Sequence, residues 1–512
     1  MSPFQRTMKA ELDHRNEPLG DGWLPARTHG PAPEQWNQGI CPSGRGRVAA
    51  GAIVQAIRSA RSLVMLSSFL LADEEIEKAL LEVASSNRGV RVYVLNAAEA
   101  RLEKEPREDS EFDRKTYEAH KALLNRLAGH VLFRTAKSFH AKVVLVDPPT
   151  GEGYLLTANL TSEALERNEE VAVRLGAEEC AQVREWLAHA FWEGAEHEMA
   201  TPGALEAVRA PGWARRPDSR GNVLATAPGH TGLREAFLSL VDGARGQLVV
   251  TSFGWSKEHP VVQRIIQRAR QGLRVTVLAR IRPSAMPALL ALREAGATVL
   301  GFQWLHAKVV WSDAGEALVT SANLEPHGMD DGFELGVRLT GSRATAVASL
   351  LAAWAAGAKA TLETGLTVGA VLGPVELWRG GRAFEKVVVE ATREADLGRV
   401  IAESASLLEA PAPKLSAPEP GRYFHRTVQR WTIEAPVLDP KAREVLREIE
   451  IEGEEKDGGK AGKKKKRQVS HEPPLFREAS GRIVVAVGKA EQLDAALAYG
   501  RAHGATAVVR RP

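Results

Sequence analysis

Cysteine is nearly absent from this chain of 512 residues, which has only Cys41 and Cys180. Two thiols cannot frame a disulfide scaffold and are too few for a structural zinc site, so small secreted disulfide folds and zinc ribbons are excluded. Long apolar runs are missing too. No stretch of about 18 uncharged apolar residues is present, so a membrane-spanning helix is not expected. The nearest candidate, Ala344 to Ala358, is alanine-rich, short and closed by Lys359, and reads as a buried helix. The first 23 residues hold no apolar core of signal-peptide length, which sets the expectation of a cytoplasmic protein. Nor does one charge dominate, since 67 Lys and Arg against 64 Asp and Glu leave +3. Attraction to nucleic acid or to an anionic membrane must then come from a local patch.

Core-building material is ample. Hydrophobic residues make up 44% and charged residues 26%, ordinary values for a soluble globular chain of about three domains. The chain also repeats itself. Residues 53–69, IVQAIRSARSLVMLSSF, parallel residues 237–253, FLSLVDGARGQLVVTSF, and both apolar runs end in Ser-Phe. A helical pattern follows in each (EEIEKALLEVASSNRG, HPVVQRIIQRARQG), then an apolar strand (VRVYVLN, LRVTVLA). Further on, SFHAKVVLVD matches WLHAKVVWSD and NEEVAVRL matches GFELGVRL.

Short β-branched strands alternating with helices predict sheets buried on both faces. The fold class expected is α/β: two tandem α/β/α layered repeats with pseudo-two-fold symmetry, plus a C-terminal α+β extension. The boundaries read as an N-terminal extension over 1–44, a first repeat over 45–200 and a second over 225–362. Beyond these come mixed strands and helices over 363–451, a basic disordered linker over 452–475, and a small strand–helix–strand unit over 476–512. Within 363–451, ATREADLGRVIAESASLLEA reads as helix and APAPKLSAPEPG as a Pro-rich linker or irregular loop. The charged insert between the second strand and the His-containing strand of the first half reads as a solvated helix pair, or as a lid.

Two matched constellations carry the chemistry. The first is His140, Lys142 and Asp147, followed by Thr157, Asn159 and Glu170; the second is His306, Lys308 and Asp313, followed by Ser321, Asn323 and Glu334. Asn and Glu are eleven residues apart in both, while His and Glu are 30 apart in the first and 28 in the second. The difference falls just after the Asp, where PPTGEG makes a longer hairpin turn than AGEA. On a strand, His and Lys at i and i+2 share a face. Asn and the hydroxyl lie on the turn after the next strand. A Glu on the strand beyond can accept from the far ring nitrogen of His, fixing its tautomer and raising its basicity.

Two such copies facing each other suit a phosphodiester anion. One neutral imidazole attacks phosphorus to give a phosphohistidine, and the other protonates the leaving oxygen and then activates water. Lys142, Lys308, Asn159 and Asn323 stabilise the transition-state charge. No metal or other cofactor is called for. A bell-shaped pH dependence is expected, because one imidazole must be neutral and the other protonated.

The pattern resembles the phospholipase D superfamily, named for its H-x-K-x4-D motifs, over about residues 45–360. The extended G-S-x-N element reads Thr320-Ser321-Ala322-Asn323 in the second copy and Leu156-Thr157-Ala158-Asn159 in the first. Gly is replaced in both, and Ser by Thr in the first, so a hydroxyl for phosphate binding survives. The resemblance implies a metal-independent phosphodiesterase or phosphatidyl transferase with a phosphohistidine intermediate. Carried over by position, His140 is the nucleophile and His306 the general acid and base, and Asp147 and Asp313 are structural rather than catalytic.

The substrate is left open among three readings. The favoured one is a nuclease cleaving DNA or RNA, aided by the basic run Lys463, Lys464, Lys465, Lys466 and Arg467 and by Arg280 and Arg282 near the second motif. The second is lipid head-group chemistry at an anionic membrane surface, which needs an exposed apolar surface such as Trp255, Trp304 or the 344–358 helix. The third is an inactive nucleic-acid-binding scaffold. The C-terminal region has no assignable motif and fits recruitment of a protein partner, substrate binding or dimerisation.

Overall fold

The computed structural model describes residues 34–367 apart from 44–45, 87, 98–109, 137 and 219–220, together with separate strands within 6–25 and 375–510. The chain divides into two units, residues 27–359 and residues 1–26 with 360–512.

In the larger unit the first half begins with β1 (Ile40–Pro42), α1 (Val48–Ser59), β2 (Leu63–Ser68), α2 (Glu74–Ala84), β3 (Arg91–Ala97), α3 (Ser110–Leu127) and β4 (Leu132–Ala136). It continues through β5 (Val143–Val146), β6 (Glu152–Leu156), β7 (Val171–Arg174) and α4 (Ala177–Glu193), then β8 (His197–Thr201) and β9 (Ala204–Ala207). The second half runs β10 (Val223–Ala227), α5 (Gly232–Gly243), β11 (Gln247–Ser252), α6 (Pro260–Arg270), β12 (Arg274–Arg280) and α7 (Met286–Glu294). It ends with β13 (Thr298–Phe302), β14 (Val309–Ser312), β15 (Glu316–Thr320), β16 (Glu334–Thr340) and α8 (Gly341–Ala356).

The repeat seen in the sequence reappears as one strand order. The first sheet contains β4-β3-β2-β5-β6-β7-β1 and the second β13-β12-β11-β14-β15-β16-β10. In each, the three strands joined by helical crossovers are parallel. The remaining pairs along these paths are antiparallel. The first half therefore reaches back before residue 45: β1 takes the place that β10 holds in the second half, so part of the expected N-terminal extension is a strand of the repeat. A three-residue strand with a cysteine carries too weak a period for this to be read from sequence.

Alternation within β5 shows why such strands read as continuous apolar runs. Val143 and Leu145 join one core, and Val144 and Val146 join another on the opposite face. The first of these cores is shared by the two halves. It gathers Val183, Trp186, Leu187 and Ala190 of α4, Val347, Leu350, Leu351 and Trp354 of α8, and the facing strands of both sheets. The second packs α1, α2 and α3 against the outer face of the first sheet. Each fully buried Leu or Val contributes about 1.5–3 kcal/mol. The 344–358 segment is thus a buried helix, as its composition indicated. Of the charged insert in the first half, the described part is the single helix α3; the residues before it lie outside the described set.

In the smaller unit, Arg6–Ala10 pairs antiparallel with Val375–Arg379, and Pro18–Pro25 with Ala360–Thr367. Arg426–Glu434 takes Lys386–Ala391, Lys414–Leu415 and Glu419–Tyr423 as antiparallel neighbours. The Pro-rich APAPKLSAPEPG segment is therefore not all linker: two pieces of it add to a sheet. Pro420 sits in one of these pieces, the short Glu419–Tyr423 strand, where a missing N–H is tolerated at an edge. Val484–Ala486 runs parallel to Val508–Arg510. The helix expected over 391–410, the 452–475 linker and the helix of the last unit lie outside the described residues. Among the described residues no helix is long and apolar enough to cross a membrane.

Candidate active site

Both His-x-Lys segments enter β5 and β14 from the edge where the two halves meet. The main chains are joined there in a reciprocal way. His140 N donates to Phe333 O and Phe333 N to Ser138 O, at 3.0 and 2.7 Å. In the other direction, His306 N donates to Glu169 O and Glu169 N to Trp304 O, at 3.1 and 3.2 Å. Residues just before Glu170 and Glu334 thus grip the opposite motif.

This grip has a consequence that spacing within one repeat could not reveal. Each imidazole is served by the carboxylate of the other half. His140 Nδ1 lies 2.7 Å from Glu334 Oε1, and His306 Nδ1 lies 2.5 Å from Glu170 Oε1. An ionised carboxylate only accepts, so Nδ1 carries the proton and Nε2 keeps its lone pair. The second oxygen of each carboxylate is held in turn. Thr157 Oγ1 donates to Glu170 and Ser321 Oγ to Glu334. Both hydroxyls are fully buried and also accept from the backbone, Val171 N at 2.8 Å and Leu335 N at 3.1 Å. Thr157 and Ser321 therefore orient carboxylates in this structure.

Lys142 and Lys308 are almost completely buried. Lys142 Nζ donates to His140 O at 2.6 Å, while Lys308 Nζ donates to His306 O and lies 3.1 Å from His306 Nε2. Burial dominates the electrostatics. It pulls His140 down to about 3, against the opposing charge of Glu334 and with help from Lys142 and Lys308. It likewise pulls His306 down to about 4, opposed by Glu170 and aided by Lys308 and Lys142. Each imidazole thus feels the lysine of both halves. Burial also lowers Lys308 to about 8, against the pull of Glu170 and Glu334. Glu334 lies at about 2 and Glu170 below its usual range; burial acts upward on both, and the His and Lys partners outweigh it. At neutral pH the depressed imidazoles are neutral, and Glu170 and Glu334 are ionised.

Asn159 and Asn323 follow β6 and β15. Asn323 Oδ1 accepts from Gly254 N at 3.3 Å, and Asn159 Oδ1 is buried with no hydrogen-bond partner in the structure. The residue after each Asn is pinned by a serine at the end of a central parallel strand: Leu160 N donates to Ser68 Oγ at 3.0 Å and Leu324 N to Ser252 Oγ at 3.2 Å. The phenylalanines that follow these serines stand edge-on to the imidazoles, Phe69 at 5.0 Å from His140 and Phe253 at 4.7 Å from His306. The repeated Ser-Phe was visible in the sequence; its role beside the site was not.

Asp147 and Asp313 lie at the far end of the same strands, away from the imidazoles. Asp147 accepts from the backbone N–H of Arg61, Ser62 and Leu63 and from the Ser62 hydroxyl, each at 2.8 Å. Asp313 accepts from Arg245, Gly246 and Gln247 N at 2.8, 2.7 and 3.1 Å. Burial acts to raise both carboxyls, yet these N–H groups hold them below the usual range. Each Asp fastens the turn leading into a central strand. His327, which the motifs did not flag, stands with its ring 6.5 Å from that of His140. The basic run Lys463–Arg467 lies outside the described residues.

Residues 53–192 match the family described as cardiolipin synthase, phospholipase D-like domain. The chain thus resembles the phospholipase D superfamily, and the match falls on its first half. No curated protein sequence matches the chain. Among solved structures, the phosphatidylserine synthase of Haemophilus influenzae Rd KW20 is 14% identical with a TM-score of 0.47, over 68% of this chain and 90% of that one. The polyphosphate kinase from Porphyromonas gingivalis is 16% identical with a TM-score of 0.39, over 60% and 48%. Nuc, a phospholipase D family member from Salmonella typhimurium, is 20% identical with a TM-score of 0.25, over 33% and 97%.

Proposed function

We propose that the protein is a phosphodiesterase that works without a metal through a phosphohistidine, and that its substrate is nucleic acid. The observation that carries the reading is the crossed pair of buried His–Glu contacts, His140 with Glu334 and His306 with Glu170. Each leaves a neutral Nε2 lone pair, and Lys308 Nζ lies 3.1 Å from that of His306.

In this scheme His140 Nε2 attacks phosphorus. The P–O bond to the leaving group breaks, and the leaving oxygen takes a proton from His306. Water then gives its proton to His306 as its oxygen attacks phosphorus, and the P–N bond breaks, returning neutral His140. The positive charge on the phosphorylated imidazole is met by Glu334. Lys142, Lys308, Asn159 and Asn323 donate to the non-bridging oxygens. The incoming phosphate anion raises the proton affinity of His306, which burial alone keeps low.

The choice of nucleic acid over lipid rests on what surrounds the centre. Two of the three apolar surfaces that a lipid substrate would need are inside the protein. Trp255 is 4% exposed with its indole N–H given to Ser252 O, and Leu350, Leu351 and Trp354 of α8 lie in the shared core. The third, Trp304, carries arginine on its face. The lipid reading keeps one support, the description of the family that matches residues 53–192.

The test is a cleavage assay in excess EDTA on labelled single- and double-stranded DNA, RNA and phosphatidylcholine vesicles, with His140→Ala and His306→Ala alongside. Nucleic-acid cleavage that survives EDTA and vanishes in both variants is expected. Head-group release alone would move the assignment to lipid. Turnover that EDTA abolishes would overturn the metal-free mechanism, and binding of nucleic acid without any turnover would leave a scaffold.

A further inference from the structure

The flanks of the two motif copies differ. On the His306 side Arg280 and Arg282 lie over the Phe253 ring. On the His140 side Phe69 packs with Ala97, Leu70 and Tyr117. Ala97 and Tyr117 also line a cavity of about 230 Å³, whose other walls include Leu124, Phe133, Thr135 and Met199. Two oxygens here stand out. Thr135, on β4, is 4% exposed, and its hydroxyl has no hydrogen-bond partner among the described residues. Its register partner on β3 is Asn96. Asn96 is fully buried; its Nδ2 donates to Ser68 O at 2.8 Å, and its Oδ1 has no partner either. Partners across a ladder project to the same face, so the hydroxyl and the amide oxygen stand side by side. The other polar walls are already engaged: Asn125 Oδ1 accepts from Gly203 N at 2.9 Å, and His120 Nδ1 is held by the Leu71 main chain at 3.0 Å.

Buried oxygens without partners are destabilising and call for an explanation. The fold itself does not require them. In the second half the matching ladder pair is Ala279 and Gly301, and the matching helix α7 has 9 residues against the 18 of α3. The pair fits the edge of a planar heterocycle. An amide oxygen only accepts and a hydroxyl can donate, which complements the neighbouring donor and acceptor on the edge of a nucleobase. Leu124, Phe133 and Met199 offer the ring apolar contact. A lipid chain would leave both oxygens unpaired in hydrocarbon. Size also limits the occupant, since pockets for drug-sized ligands start at about 300 Å³. The position is that of a substrate subsite. Asn96 and Thr135 lie toward the carboxyl ends of β3 and β4, where sheets of this kind bind ligands. Phe69, which touches the cavity wall, stands edge-on to His140.

We propose that this cavity receives one base of the substrate, that of the nucleoside which stays on phosphorus when His140 is phosphorylated. Thr135 and Asn96 hold its edge, and the apolar walls take its faces. This rests on the phosphodiesterase reading above and gives it a substrate class: a nucleoside phosphodiester whose base is drawn out of its stack before cleavage.

The test uses the full chain and three esters from which p-nitrophenolate departs, so that the other group stays on phosphorus: methyl p-nitrophenyl phosphate and the 5′- and 3′-(p-nitrophenyl phosphates) of thymidine. At least one thymidine ester is expected to exceed the methyl ester in kcat/KM by about 30-fold or more. Thr135→Val, which keeps the shape and loses the hydroxyl, should cut that ratio by about 10-fold, and Thr135→Ser should keep it. Met199→Trp, which fills the cavity, should remove the preference. Equal kcat/KM for all three esters, or a ratio unchanged in both Thr135→Val and Met199→Trp, would overturn the proposal. If the intact protein cleaves none of the esters, the phosphodiesterase reading is what fails. The cavity is then judged by saturation-transfer NMR with thymidine and thymidine 5′-phosphate. Transfer to the base protons that is lost in both variants supports a base site. Transfer that is absent, or unchanged in the variants, overturns it and leaves a cavity that holds water only.

Discussion

Crossed pairing makes a quantitative claim that needs no substrate. His140 Nδ1–H meets the Glu334 carboxylate at 2.7 Å with the carboxylate 1% exposed. A hydrogen bond to a buried charged group is worth about 1.5–3 kcal/mol, so a double-mutant cycle between His140→Ala and Glu334→Gln should return a coupling of about 2 kcal/mol. The cycle between His306→Ala and Glu170→Gln should give a similar value. The same-half pairs, His140 with Glu170 and His306 with Glu334, should couple by about 0.5 kcal/mol or less, because no direct bond joins them. Urea unfolding at pH 7.5 supplies the four free energies of each cycle, with the urea dependence (m) compared to confirm that unfolding remains two-state. At that pH the imidazoles are neutral and the carboxylates ionised. Larger coupling within a half than across halves would refute the crossed arrangement, and the mechanism built on it.

Three further predictions follow from the same geometry. Asp147→Ala removes an acceptor for three backbone N–H groups and forces a non-glycine residue without a local acceptor to hold φ 47°; unfolding free energy should drop by about 2–4 kcal/mol with KM kept, and loss of activity in a fully folded variant would contradict the structural role. Because His140 and His306 are pulled down by burial to about 3 and 4, their neutral forms favour the fold: that stability is complete above the unfolded value near 6.5 and is lost as pH falls from there toward 4. The same depression displaces the bell-shaped kcat/KM profile to the acid side of 6.5, so kcat/KM at pH 5 should exceed that at pH 8 by more than about 10-fold; the reverse slope would rule out a histidine acid. Finally, Ser252→Ala unpins Leu324 N, held at 3.2 Å; kcat should fall about 10-fold with little change in KM, whereas an unchanged kcat would show that Asn323 needs no such support.

How much of this was legible beforehand depends on where each interaction is written. The two H-x-K motifs, their Asn and Glu partners and the helix–strand alternation are local in sequence, and matched copies exposed them. Asp147 and Asp313 were read as structural, and their carboxylates do fasten turns. What the sequence could not supply was partnership between distant residues. Glu170 sits 30 residues from His140 and 136 from His306, and it is the distant one that it serves. The hydroxyls of Thr157 and Ser321 were expected at phosphate because the resemblance to the G-S-x-N element keeps a hydroxyl there; their contact with the carboxylates is a tertiary fact. β1 was missed for the opposite reason, since three residues are too few to show a period, and the Glu419–Tyr423 strand was hidden by its proline.

The exchange of carboxylates between halves has an implication for how this chain can vary and be divided. A fragment ending near residue 192 would carry His140 and Lys142 but not the Glu334 that fixes the imidazole, and it would hold a Glu170 with no ring to serve. Two copies of such a fragment, meeting through the same edge, would restore both contacts, each lending its Glu to the other. In that sense the larger unit behaves as a dimer whose protomers share one polypeptide. Neither half can change its His–Glu chemistry alone, while the flanks, which take no part in the exchange, differ: one is apolar and the other carries arginine.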